Sequence, residues 1–196
     1  MAADETDGVT MWLARHGQTE WSRNGRHTGT TDLPLLPEGE AAAQELADRL
    51  DGQRFDLVLT SPMRRARHTA ELAGFGDAEV DPDLVEWNYG AYEGRTTAQI
   101  RERDPDWTVW NHGVPDGETA DDVARRADSV LADARAADTD VVLVGHGHFS
   151  RVLVSRWLDR PATDGVHFAM DAAGWAVLGD ERDVPRIDGL NYRPLA

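Results

Sequence analysis

Three short apolar runs constrain this chain more than any other feature, because each ends in residues suited to chemistry. Val9–Leu13 runs into Arg15-His16-Gly17, Phe55–Leu59 into Ser61-Pro62 and an arginine cluster, and Asp140–Val144 into Gly145-His146-Gly147. Short apolar runs bounded by turn residues read as buried strands, and each of these precedes a helical pattern. Strands alternating with helices predict an α/β fold. The expected form is a three-layer sandwich, with a mostly parallel central sheet and helices on both faces. In such a sheet, residues that follow strands collect at the carboxyl edge, where ligands bind.

The remaining pattern fits that frame. Helices are expected over Glu38–Leu50, after Ser61-Pro62, and over Thr96–Arg103, Pro105–Trp110, Glu118–Ala136 and Phe149–Leu158. Ala43, Leu46, Ala47 and Leu50 share one helical face, as do Val123, Ala127, Val130, Leu131 and Ala134. Ser61 is the expected cap of its helix, with Pro62 at the first position. Glu79–Val80 and Ala172–Leu178 are expected as further strands, and Glu20–Pro37, rich in Gly, Thr, Asn and Pro, as a long loop. The 196 residues suffice for one sizeable core. A single domain is expected over residues 9–196, with residues 1–8 as a loose acidic tail.

Composition removes many chemistries. The chain has no cysteine and no lysine; its 20 basic residues besides histidine are all arginine. Thiolate catalysis, disulfides, Cys-ligated zinc, Schiff bases and the P-loop lysine are therefore excluded. A net charge of -16 repels nucleic acid and anionic membranes, so neither is an expected partner. A site for an anionic substrate must then be a local basic pocket. Met1–Gly8 lacks the positive start and apolar stretch of a secretory signal, and the expected location is cytoplasmic. A homodimer is left open.

Four constellations carry candidate chemistry. His16 beside Arg15 suits phosphoryl transfer: neutral imidazole attacks phosphorus, and guanidinium neutralises the oxygens. An isolated Arg-His-Gly would instead be read as a histidine bonding a loop carbonyl. Arg65 is expected to face the strand edge, and Arg64 and Arg67 to form a solvated face. His146 is a candidate donor to a phosphoryl oxygen. The rival His-x-His metal reading of His146 and His148 is weaker, because no acid stands at the usual ligand spacing. Glu86, set among aromatics and glycine, is the candidate proton donor, and Glu93 is its nearest competitor. Trp12, Trp157 and Trp175 are expected in the core. Trp21, Trp87, Trp107 and Trp110 are expected either over the substrate or packing long loops. Arg101, Arg103, Arg125 and Arg126 are read as surface.

Taken in order, Arg15-His16-Gly17-Gln18-Thr19-Glu20-Trp21, Thr28-Gly29, Ser61-x-x-x-Arg65-Ala66, Glu86-x-x-x-Gly90-x-x-Glu93-Gly94 and His146-Gly147 resemble the histidine phosphatase superfamily. That superfamily also contains the cofactor-dependent phosphoglycerate mutases, and the likeness covers roughly residues 9–180. The resemblance implies that His16 is a transiently phosphorylated nucleophile. It implies that Arg15, Arg65 and His146 clamp the phosphoryl group, and that Glu86 protonates the leaving oxygen and then activates water. Gln18, Thr19, Ser22, Thr28, Gly29, Tyr89, Gly147 and His148 would bind substrate, a small phosphorylated metabolite, with no metal or other cofactor.

Glu86 to Gly94, Trp107-x-x-Trp110-x-x-Gly113 and His146 to Arg151 look like the actinobacterial-type acid phosphatases and the sedoheptulose-bisphosphatase-like phosphatases. The stretch between Glu86 and the long helix is short. Ser22 and His148 stand where mutases often have asparagine. Both departures favour phosphomonoester hydrolysis over mutase activity. The alternatives are a mutase, a sugar bisphosphatase or a phospho-ligand binding protein.

Overall fold

The computed structural model describes residues 9–193 apart from 51, 52 and 54. The tail expected at residues 1–8 lies outside the described residues. Six strands form one sheet: β1 (Met11–Arg15), β2 (Leu57–Thr60), β3 (Glu79–Val80), β4 (Val141–Gly145), β5 (Trp175–Glu181) and β6 (Val184–Tyr192), in the order β3-β2-β4-β1-β5-β6. The first four pair in parallel, while β1–β5 and β5–β6 are antiparallel.

Alternation along the strands divides the core into two faces. Met11, Leu13, Val141 and Leu143 point one way, under helices α5 (Ala120–Ala136) and α6 (Gly147–Trp157). Ala14, Val142 and Val144 point the other way, under α2 (Pro37–Leu50) and α3 (Arg64–Leu72). This is the expected three-layer α/β sandwich. Helix α2 starts on a proline, carries Glu38 and Glu40 in its first turn, and has no β-branched residue; all three favour a helix there. Helix α5 is stopped at its N-terminus by a capping box between Thr119 and Asp122.

Three expectations are corrected and one element is new. Pro105–Trp110 is a run of turns whose Trp107, Val109 and Trp110 are buried; Trp107 Nε1 donates to the Gly113 carbonyl at 2.8 Å. The cap of α3 is Met63, whose side chain makes no capping bond; Ser61 lies two residues earlier, where its Oγ accepts the Met63 N–H at 3.3 Å. The expected loop at Glu20–Pro37 contains a short helix, α1 (Glu20–Arg23), closed by a capping box between Thr19 and Ser22. Strand β6 follows no apolar run. It forms a hairpin with β5 through Arg182 and Asp183, both at positive φ (52° and 65°). Two left-handed residues make the tight turn that matches strand twist, and without Asn-Gly the sequence does not announce it.

The parallel half places the chemistry. Arg15 lies opposite Gly145, and Ala14 and Thr60 both lie opposite Val144. His16, Ser61 and His146 therefore leave three adjacent strands at one level. The loop at His16 then packs onto the first turn of α2. A Cβ on Gly17 would come within 2.3 Å of the Gly39 carbonyl, and one on Gly39 within 2.3 Å of the Gln18 carbonyl. No side chain fits on either side of this contact.

Candidate active site

At the carboxyl edge of the parallel strands lies a cavity of about 180 Å³. His16 sits at its floor, 4 % exposed, with its backbone held by the Gly145 carbonyl and by the N–H of Ala173. Its Nδ1 lies 2.7 Å from the Gly17 carbonyl. A carbonyl can only accept, so Nδ1 carries the proton and Nε2 keeps a free lone pair. Burial, followed by the charges of Arg15 and Arg65, pushes the His16 imidazole well below its ordinary pKa; the Gly17 bond opposes this. The ring is therefore neutral at neutral pH. The carbonyl bond, read from the sequence as the alternative to nucleophilic chemistry, leaves Nε2 free, so the two readings are compatible.

Three cationic or donor groups surround it. Arg15 donates from Nη1 to the Met170 carbonyl at 2.7 Å, and its Nε is buried with no partner. Arg65, fully buried, donates from Nε to His146 Nδ1 at 3.2 Å. Arginine has no acceptor, so His146 Nδ1 holds a lone pair and its Nε2–H donates to Ser61 Oγ at 2.8 Å. Burial, and then the charge of Arg65, keeps His146 neutral by driving its pKa well down. The His16 and His146 rings lie 5.2 Å apart. Thr69 Oγ1 receives the Gly17 N–H at 3.0 Å and donates to the Arg65 carbonyl at 2.8 Å, which ties α3 to the nucleophile loop.

Glu86 is 7 % exposed, but its surroundings are not the apolar ones expected. Its carboxylate accepts the backbone N–H groups of Trp87 (2.9 Å), His148 (3.0 Å) and Phe149 (2.8 Å). It thus sits on the first turn of α6, whose free N–H groups and dipole attract an anion. Its loop is fastened by Arg126, which donates to the carbonyls of Asp83 (2.7 Å) and Val85 (3.0 Å) and pairs with Glu118 (2.8 Å). Arg126 is therefore a staple rather than surface.

Of the residues expected to bind substrate, Ser22, Thr28, Tyr89, Gly147 and His148 line the cavity. Gln18 instead borders a neighbouring groove with Arg15 and Ser22. Thr19 is consumed by its capping box, and Gly29 is buried behind the wall. Arg64 and Arg67 line a separate surface hollow. Trp87, Trp107 and Trp110 pack the loops. His27, Arg26 and Met170 also line the cavity without any sequence pattern to mark them, as does Arg151, the last residue of the His146–Arg151 motif. Tyr89 Oη and His148 Nδ1 share a 2.6 Å hydrogen bond, and the His27 ring lies 4.7 Å from that of Tyr89. Burial drives His148 well down and His27 to about 4, with Glu93 opposing at His27. The upper wall is thus neutral imidazole and phenol, while Arg26 and Arg151 add positive charge. Arg151 also lies 4.6 Å above the Trp110 ring. Among the described residues, no group of three His, Cys, Asp or Glu is arranged to hold a metal ion.

Comparison with known proteins bears on this geometry. Residues 11–193 match the family model of the histidine phosphatase superfamily (branch 1). An acid phosphatase of Mycobacterium tuberculosis is 47% identical over 191 residues, covering 94% of each chain. A sedoheptulose 1,7-bisphosphatase of Saccharomyces cerevisiae is 41% identical over 106 residues, 46% of this chain and 39% of its own. A solved structure of an open reading frame product from Mycobacterium tuberculosis superimposes with a TM-score of 0.90 at 43% identity, covering 95% of this chain and 99% of that one.

Proposed function

This chain belongs to the histidine phosphatase superfamily, and from that premise we propose that it hydrolyses small phosphomonoesters through a phosphohistidine at His16. The observation that carries the reading is the His16 tautomer: Nδ1–H is fixed on the Gly17 carbonyl, so the neutral ring offers Nε2 to the cavity.

Nε2 attacks phosphorus in line, the P–N bond forms and the ester P–O bond breaks. The leaving oxygen takes a proton from the Glu86 carboxyl group. Water then yields a proton to the Glu86 carboxylate and attacks phosphorus. The P–N bond breaks, and phosphate leaves with neutral His16 restored. Charge spreads over three equatorial oxygens, so positioning and electrostatics carry the catalysis. Arg15 supplies an unpartnered, buried Nε–H. Behind the nucleophile, Arg65 contributes its buried charge, and His146, whose one N–H is given to Ser61, holds that guanidinium through Nδ1.

The small cavity and the mouth arginines favour a short ester bearing a second anionic group. The acid phosphatase of Mycobacterium tuberculosis supports the hydrolytic reading. No helix among the described residues is long and apolar enough to cross a membrane. A cytoplasmic site of action fits a chain without cysteines. The test is His16→Ala: turnover of p-nitrophenyl phosphate and incorporation of acid-labile phosphate should both vanish, and normal hydrolysis by this variant overturns the reading. Mutase activity is separated by comparing interconversion of phosphoglycerates with release of phosphate.

A further inference from the structure

Glu93 stands seven residues after Glu86 and does not line the cavity, and the mechanism leaves it without a task. Its carboxylate accepts the N–H of Gly29 with both oxygens at 3.0 Å and the N–H of Thr31 at 3.0 Å. On the opposite side of the same loop, Arg65 donates to the carbonyls of Thr28 (3.2 Å), Gly29 (2.9 Å) and Thr31 (2.9 Å).

The Thr28–Gly29 peptide unit is the link. Its C=O faces Arg65 and its N–H faces Glu93, as a trans peptide permits. The peptide dipole thus lies between an anion and a cation, with its positive end toward the carboxylate and its negative end toward the guanidinium. Hydrogen bonds in such a chain polarise one another. Gly29 leaves no room for adjustment: a Cβ there would meet the Trp87 carbonyl at 2.6 Å and Glu93 Oε2 at 3.0 Å. With Nε on His146, Arg65 has four acceptors in the protein, so its plane is fixed.

We propose that Glu93 is a positioning residue that acts through the Thr28–Thr31 loop to hold the Arg65 guanidinium in its phosphoryl-binding orientation. The inference rests on the reading of Arg65 as a phosphoryl clamp. Loss of the Glu93 charge leaves the loop carbonyls weaker acceptors, and the guanidinium turns away from the cavity floor.

The test is a double-mutant cycle of Glu93→Gln and Arg65→Ala, read by kcat/KM for p-nitrophenyl phosphate and by the inhibition constant of inorganic phosphate. Thermal melting checks that each variant is folded. Glu93→Gln should lower kcat/KM by about 10- to 100-fold, as for other groups that orient a direct ligand, and raise the phosphate inhibition constant. In the Arg65→Ala background, the same change should cost less than about threefold, because its route is already cut. Losses that multiply, or wild-type kinetics in Glu93→Gln, overturn the inference. Wild-type kinetics in Arg65→Ala overturn the reading of the site itself. Should Glu93→Gln not fold, Glu93→Asp carries the same cycle.

Discussion

The floor and the mouth of the cavity are built in opposite ways. The floor consists of Arg15 and His16, backed by the buried Arg65 and His146, all set at or behind strand ends and tied to backbone carbonyls or to one another. The mouth consists of Arg26, His27, Tyr89, His148 and Arg151, which come from loops and from α6. Arg26 is exposed, and Arg151 is held by the carbonyls of Gly165 (3.0 Å) and Val166 (3.3 Å). On the proposed mechanism, floor atoms face one tetrahedral group whose geometry does not vary between esters. Mouth atoms face whatever the phosphate is attached to. The contrast separates reaction from selectivity: floor changes should act on kcat, and mouth changes on KM.

The largest effect that can break this division is expected at Arg15. Arg15→Ala removes the buried Nε–H that lacks a protein partner, and should lower kcat for every ester by about 10²–10³, as for an oxyanion donor. Steady-state rates on a panel of esters measure this, and a loss confined to some substrates would dissolve the distinction.

Arg151→Ala tests the other side. It should raise KM about 10-fold for esters with a second anionic group, the scale of one charge-assisted hydrogen bond. KM and kcat for p-nitrophenyl phosphate should change by less than about threefold. Equal effects on both substrates would place Arg151 in the floor.

The smallest expected effect is on stability against pH. His16, His27, His146 and His148 all have folded pKa values pushed down by burial. A lowered folded value means the unfolded chain binds more protons in the window between, so stability rises with pH there. Their contribution is complete above about 6.5, the unfolded value, and declines as pH falls toward each folded value. For His27 the window runs from about 6.5 down to about 4. Melting curves between pH 7 and 4 should therefore show falling Tm, with a shallower slope in His27→Gln. A slope unchanged in that variant would show that the mouth histidine does not share the floor's protection from protons.

The same division explains what was legible in the chain. Arg15, His16, Arg65 and His146 follow apolar runs, and the register of β1, β2 and β4 brings them together. Alternation of strands with helices also foretold the two-faced core. The hairpin of β5 and β6 was only half visible, because an edge strand has no need of a continuous apolar run. Arg126 and Glu118 could not be recognised from spacing: Arg126 acts on the carbonyls of Asp83 and Val85 and Glu118 on the Asn88 N–H, all far away along the chain. Ser61 was read as the cap of α3; its hydroxyl accepts the Met63 N–H just ahead of that helix and also accepts the proton of His146.

Sequence by itself determined the fold class, the gathering of Arg15, His16, Arg65 and His146 at one sheet edge, and the absence of thiol and lysine chemistry. Those follow from local pattern and composition, which need no knowledge of distant contacts. Only the tertiary structure decided which tautomer His16 and His146 adopt, that Glu86 rests on a helix N-terminus, and that Glu93 faces Arg65 across a peptide. Each of these depends on a hydrogen bond between segments remote in sequence or on the direction of a single carbonyl. Residue identity supplies the donors and acceptors, and the packed backbone alone aims them.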